Sequence, residues 1–89
     1  MFILNRLISA MLRKHSISIH GHKTSYSLED EFHLELTRIA DQNNIPLSRM
    51  ITRIDSIRKP GINLSSALRL HVLNDLKSSR AVSDRTKKV

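Results

Sequence analysis

The chain has 89 residues, with 15 Lys and Arg against 8 Asp and Glu for a net charge of +7, five histidines and no cysteine. That length gives one small domain, disulfides are excluded, and Phe2, Tyr26 and Phe32 are its only aromatic side chains, so aliphatic residues must form the core. A chain this small, without disulfides, is expected to complete its apolar burial with a second copy, in a reducing cytoplasm.

The charge is uneven. Residues 1–28 carry four Lys/Arg and no acid, residues 29–60 five basic and six acidic residues, and residues 61–89 six basic and two acidic ones. Two cationic ends around a near-neutral centre suggest an oriented basic surface facing a polyanion such as nucleic acid.

Residues 1–15 open with Ile3, Leu4, Leu7, Ile8, Met11 and Leu12 at helical spacing, beside Arg6, Arg13 and Lys14. The segment is too short to span a bilayer and lacks the pattern of a signal peptide. Three readings stand: a short helix packed on the domain or its mate, a basic membrane-surface helix, or an over-read start with Met11 as the true first residue.

Residues 16–20 and 23–28 read as strands. Ile17 and Ile19 alternate with serines, and Thr24, Tyr26 and Leu28 alternate with Lys23, Ser25 and Ser27. The apolar parity switches across Gly21, which a type II′ turn at Gly21-His22 explains. Ile19 then pairs with Thr24 and Ile17 with Tyr26. Ile17, Ile19, Thr24, Tyr26 and Leu28 share one face; Ser16, Ser18, His20, Lys23, Ser25 and Ser27 share the other.

The spacing predicts a helix over 29–43, with Ser27 or Leu28 at its cap and Glu29, Asp30 and Glu31 where the helix dipole favours anions. Phe32, Leu36, Ile39 and Ala40 form its buried stripe, and Asn43-Asn44 supplies a left-handed stop. A second helix over 46–58 starts at Pro46 and repeats Leu47, Met50, Ile51, Ile54 and Ile57. Residues 60–77 hold a third, capped by Asn63, with Leu64, Ala67, Leu68, Val72 and Leu76 as its stripe. Residues 78–89 lack periodicity and read as a disordered basic tail.

A strand running directly into a helix, a tight asparagine stop and a second helix form a distinctive order. On it, residues 23–58 resemble an Arc/MetJ-type ribbon-helix-helix domain, with Lys23-Thr24-Ser25-Tyr26-Ser27-Leu28 as ribbon and "EFHLELTRIADQNNIPLSRMITRI" as the helices and their turn. "SISIHGHKTSYSLE" and "NLSSALRLHVL" resemble one bacterial subgroup. The implied fold is mainly α with a short β-ribbon, in the order β-β-α-α-α, forming a homodimer by antiparallel pairing of residues 23–28 between subunits.

By position, the resemblance implies that Lys23, Ser25 and Ser27 contact bases in the major groove of double-stranded DNA. It also implies that the second helix's start holds a phosphate, through Leu47, Ser48 and Arg49. His22, in the expected turn, is a further phosphate candidate when protonated. Tyr26, Leu28, Phe32, Leu36, Ile39, Met50, Ile51 and Ile54 become the dimer core. The implied role is a sequence-specific, dimeric transcriptional regulator in a bacterial cytoplasm. The alternative is a dimeric protein-interaction module that keeps the fold without reading bases and binds an unknown protein partner.

Other chemistries find little footing. His15, His20 and His22 lie close together, but no cysteine or acid near them in sequence completes a metal set. No nucleophile–base pattern or glycine-rich phosphate loop occurs. No cofactor, metal, catalytic residue or membrane span is expected. His33 and His71 are expected to face solvent or a subunit seam.

Overall fold

A computed structural model describes the backbone of residues 11–88 and the side chains of residues 11–80. A two-stranded antiparallel hairpin, β1 (Leu12–Ile19) and β2 (His22–Glu29), is followed by α1 (Asp30–Gln42), α2 (Leu47–Ile57) and α3 (Leu64–Lys88). The order and the mainly helical character are those expected. Residues 1–10 of the expected N-terminal helix lie outside the described residues.

The hairpin differs from expectation in its register. Ile19 pairs with His22, Ile17 with Thr24, His15 with Tyr26 and Arg13 with Leu28. The turn is therefore His20-Gly21, not Gly21-His22. Both residues have positive φ, 51° and 81°, the pattern of a type I′ turn, whose twist matches that of the flanking strands. Histidine enters the left-handed region more readily than most residues. The slip is two residues, and side chains alternate with a period of two, so every residue keeps its face. The same slip brings Leu12–His15 opposite Tyr26–Glu29. Backbone pairing there overrides local helical spacing, and residues 12–15 are strand rather than part of an N-terminal helix.

Chain direction changes abruptly after β2. Glu29 is both the last strand residue and the N-cap of α1, with extended backbone (φ −65°, ψ 145°) and no side-chain cap. The expected Ser27 or Leu28 cap is displaced because both residues remain in the strand. At the far end the asparagine stop forms as expected. Asn44 has φ 56°, the Ile45 N–H donates to the Ala40 carbonyl, the Asn44 N–H donates to that of Asp41, and Asn43 Nδ2 donates to Ile39 O at 2.7 Å. This bond pair is a Schellman closure. Asn63 caps α3 through Oδ1, which accepts from the Ser66 N–H at 2.8 Å.

The core is continuous across all five elements: Ile19, Tyr26 and Leu28 from the hairpin, Leu36, Ile39 and Ala40 from α1, Met50, Ile51 and Ile54 from α2, and Leu64, Ala67, Leu68 and Val72 from α3. Polar ties hold the helices in place around it. Arg38 joins Glu35 and Gln42 on its own helix to Asp75 on α3, and these carboxylates raise the pKa of its guanidinium. Arg69 of α3 bonds Glu29 at 2.8 Å, with its guanidinium carbon 5.9 Å from the centre of the Phe32 ring.

The third helix extends beyond its expected end. Residues 78–88, read from sequence as a disordered tail, continue α3. No glycine or proline follows Gly61 to interrupt it.

Candidate nucleic-acid interface

The hairpin has one face against the helices and one in solvent. Ile17, Ile19, Thr24, Tyr26 and Leu28 lie on the inner face, with Ile19, Tyr26 and Leu28 buried. The outer face carries Lys14, Ser16 and Ser18 on β1 opposite Ser27, Ser25 and Lys23 on β2. All six are exposed except Ser27, which is half-buried. Lys23, Ser25 and Ser27, the residues singled out from sequence, thus sit together in one row. Lys14 completes the face from β1. Its membership followed from strand parity, but only if β1 extends at least two residues further than its sequence signal; it extends four.

Beside the β1 edge lies the start of α2. Ser18 lines a shallow groove with Pro46, Ser48, Arg49 and Thr52. Pro46 is the N-cap and no side chain caps the helix. The Arg49 and Met50 amides bond Pro46 O, which leaves the first-turn N–H groups of Leu47 and Ser48 for an outside acceptor. The Leu47 side chain packs on the core, so only its backbone can serve. Arg49 and Arg53 are exposed and have no carboxylate partner among the described residues. His22 stands apart: it pairs with Ile19 and belongs to the inner-face row, although it is exposed at the turn.

Beside the β2 edge lies the start of α3. Lys14, Ser25, Tyr26 and Ser27 line a groove with Asn63, Leu64 and Ser65. The Ser27 N–H, which points away from β1, donates to Ser65 Oγ at 3.2 Å. This bond links residues 38 positions apart, and the sequence carried no signal for it.

The acids at the β2–α1 junction do not confront this face. Glu29 bonds Arg69, which holds its carboxyl below the usual range, and Asp30 bonds Arg13 at 2.9 Å. Under the sheet, the His15 ring stacks between Tyr26 (5.1 Å) and His33 (4.2 Å). The Tyr26 hydroxyl stands 3.5 Å from His33 Nε2, and burial raises its pKa. His15 Nε2 is buried without a hydrogen-bond partner among the described residues. His33 is thus half-buried against a strand rather than facing solvent. Among the described residues no group of three or more His, Cys, Asp or Glu is placed to hold a metal ion, and no helix is long and apolar enough to cross a membrane.

Burial lowers the pKa of His33, the nearby His15 lowers it further, and Asp30 opposes them. The unfolded chain therefore binds this proton more readily than the folded one. Stability is complete above the ordinary imidazole pKa of about 6.5 and falls as pH drops through and below it. A lower midpoint of thermal unfolding is expected at pH 5.5 than at pH 7.5, with part of the difference removed in His33→Phe. An equal difference in that variant would place the titrating group elsewhere.

A chain with this hairpin, its direct entry into α1 and the asparagine-closed passage into α2 has the architecture of a small regulatory DNA-binding domain. Residues 12–76 match the model of the ribbon-helix-helix domain family, and the protein belongs to that family. Its members are typically DNA-binding transcriptional regulators, and the fold is a regulatory rather than an enzymatic one. No curated protein and no solved structure matches the chain significantly.

Proposed function

We propose that this protein is a transcriptional regulator that binds double-stranded DNA in a sequence-specific manner and works as a homodimer in a bacterial cytoplasm. The observation carrying this reading is the outer face of the hairpin: a solvent-facing row of serines with two lysines and no acid among them, beside an uncapped helix start flanked by Arg49 and Arg53. Lys23, Ser25 and Ser27 face base edges, where lysine donates to guanine acceptors and serine serves several bases. The Leu47 and Ser48 amides and the Arg49 guanidinium hold a backbone phosphate. His22, on the other side of the turn, reaches at most a flanking phosphate. Self-association is supported by apolar surface left outside the core: Ile57 (73% exposed) and Leu70 line one groove between α2 and α3, and Leu73 follows a turn along.

Lys23→Ala combined with Arg49→Ala is expected to weaken duplex binding by roughly ten- to a hundredfold at low salt and to flatten the dependence of affinity on salt by about two charges. Mobility-shift titrations over a salt series measure both. Unchanged, salt-sensitive affinity in the folded double variant would overturn the assignment.

A further inference from the structure

A groove between α1 and α3 lies beside the point where the chain enters the sheet. Phe32, Val72 and Leu76 form its apolar floor, and Glu29, Glu31 and Glu35 line its rim, around a volume of about 370 Å³. Val72 is buried, Phe32 half-buried and Leu76 46% exposed, so part of the floor meets solvent. Two of the rim carboxylates are occupied, Glu29 by Arg69 and Glu35 by Arg38. Glu31 is exposed and has no cationic partner among the described residues. Leu12 pairs with Glu29, so the chain that precedes β1 departs about 5 Å from a rim residue.

We propose that this groove is the docking site of residues 1–10 of the same chain, with their apolar side chains on the Phe32, Val72 and Leu76 floor and Arg6 against Glu31. The composition of the segment matches the groove. It offers Phe2, Ile3, Leu4, Leu7 and Ile8 to an apolar floor, and its only charged side chain, Arg6, to an acidic rim. Its length is sufficient. Ten residues span roughly 33 Å extended and about 15 Å as a helix. Glu31 and Glu35 stand one helical turn apart on α1, about 6 Å along its axis.

Two arguments favour this occupant over others. Attachment next to the groove gives the segment an effective concentration on the order of millimolar, which a separate partner must outcompete. The carboxylates of the rim repel the anionic alternatives, a lipid surface and nucleic acid, and attract Arg6.

Trypsin reports on the segment, because Arg6 is the one Lys or Arg in it. Cleavage of the Arg6–Leu7 bond in the full chain is followed by mass spectrometry. It is expected to run roughly tenfold or more slower than in a free peptide of residues 1–12, since the protease acts only on the fraction of molecules with the segment released. Leu76→Asp, which places a charge on the floor, is expected to remove most of that protection, and Glu31→Lys to reduce it severalfold by repelling Arg6. Leu73→Asp is the control: Leu73 is equally exposed on α3 but outside this groove, and its cleavage should match wild type. A thermal melt verifies that each variant folds. Wild-type cleavage at the free-peptide rate overturns the docking. Protection that survives both Leu76→Asp and Glu31→Lys, or that Leu73→Asp loses alike, puts the segment elsewhere. Protection that grows with protein concentration assigns it to a second copy, and protection that needs anionic lipid vesicles assigns it to a membrane surface; either result overturns docking within one chain.

Discussion

Leu68→Ala is expected to destabilise the protein by about 2–5 kcal/mol, among the larger single-residue effects in the molecule. Leu68 is fully buried, together with Leu28, Leu36, Ile51 and Val72, so truncation removes apolar contacts from every side and leaves a cavity. A domain of this size has a total stability on the order of 4–13 kcal/mol, and the variant would lose a large part of it. The residue lies outside the 16–59 segment that the sequence marks as the folded core. A substantial loss therefore demonstrates that α3 is integral rather than appended. Urea denaturation followed by circular dichroism measures it, with Leu34→Ala as an exposed control expected within about 0.5 kcal/mol of wild type. A loss under about 1 kcal/mol for Leu68→Ala would make α3 peripheral.

The second large effect is expected at the hairpin turn. Gly21 has φ +81°, and a Cβ placed there would meet nothing within 4 Å. The cost of a side chain is thus backbone strain alone, without steric collision. Valine, branched at Cβ, is among the residues least tolerant of positive φ, and Gly21→Val should cost about 1–3 kcal/mol. Asparagine enters the left-handed region readily, so Gly21→Asn should stay within about 1 kcal/mol of wild type. Equal losses for the two variants would contradict the conformation of the turn, and with it the register that aligns the two rows of Lys and Ser.

Local chemistry made some of these features legible in the sequence. The alternation around Tyr26 assigned the strand faces correctly, because parity survives an even slip in register. Asn44 announced the end of α1, and Asn63 the start of α3, since each acts through its own backbone neighbourhood. The register itself was not legible. Gly21 fits either central position of a two-residue turn, and the longer pairing of Leu12–His15 with Tyr26–Glu29 was decided by contacts beyond the turn. His15 shares parity with Ile17, which hinted at an inner position, but its stacking on His33 depends on how α1 crosses the sheet. The Ser65 bond to the β2 edge is equally non-local.

Of the candidate contacts, Lys23, Ser25 and Ser27 could be placed in one row from sequence, and Arg49 at the start of a helix. Lys14 could not, because its neighbours repeat at helical spacing. Tyr26, Leu28, Leu36, Ile39, Met50, Ile51 and Ile54, which sequence reasoning assigned to a dimer core, are buried within a single chain, and Phe32 is half-buried there. The third helix adds Leu64, Ala67, Leu68 and Val72 to the same core.

The arginine ties described above, with that of Arg58 to Asp55 at 2.8 Å, divide the positive charge into two kinds. Arg13, Arg38, Arg58 and Arg69 are each bound to a carboxylate. The described lysines, Lys14, Lys23, Lys59 and Lys77, are exposed and have no such partner among the described residues. Four of the seven arginines with described side chains are thus tied to carboxylates, while Arg49, Arg53 and the described lysines stay open to the surroundings. Acylating agents that neutralise amines would remove the lysine charges and leave the internal arginine bridges closed. Dicarbonyl reagents directed at guanidinium would loosen the bridges as well. Only the lysine share of the positive charge is thereby separable from the bridges by the choice of reagent.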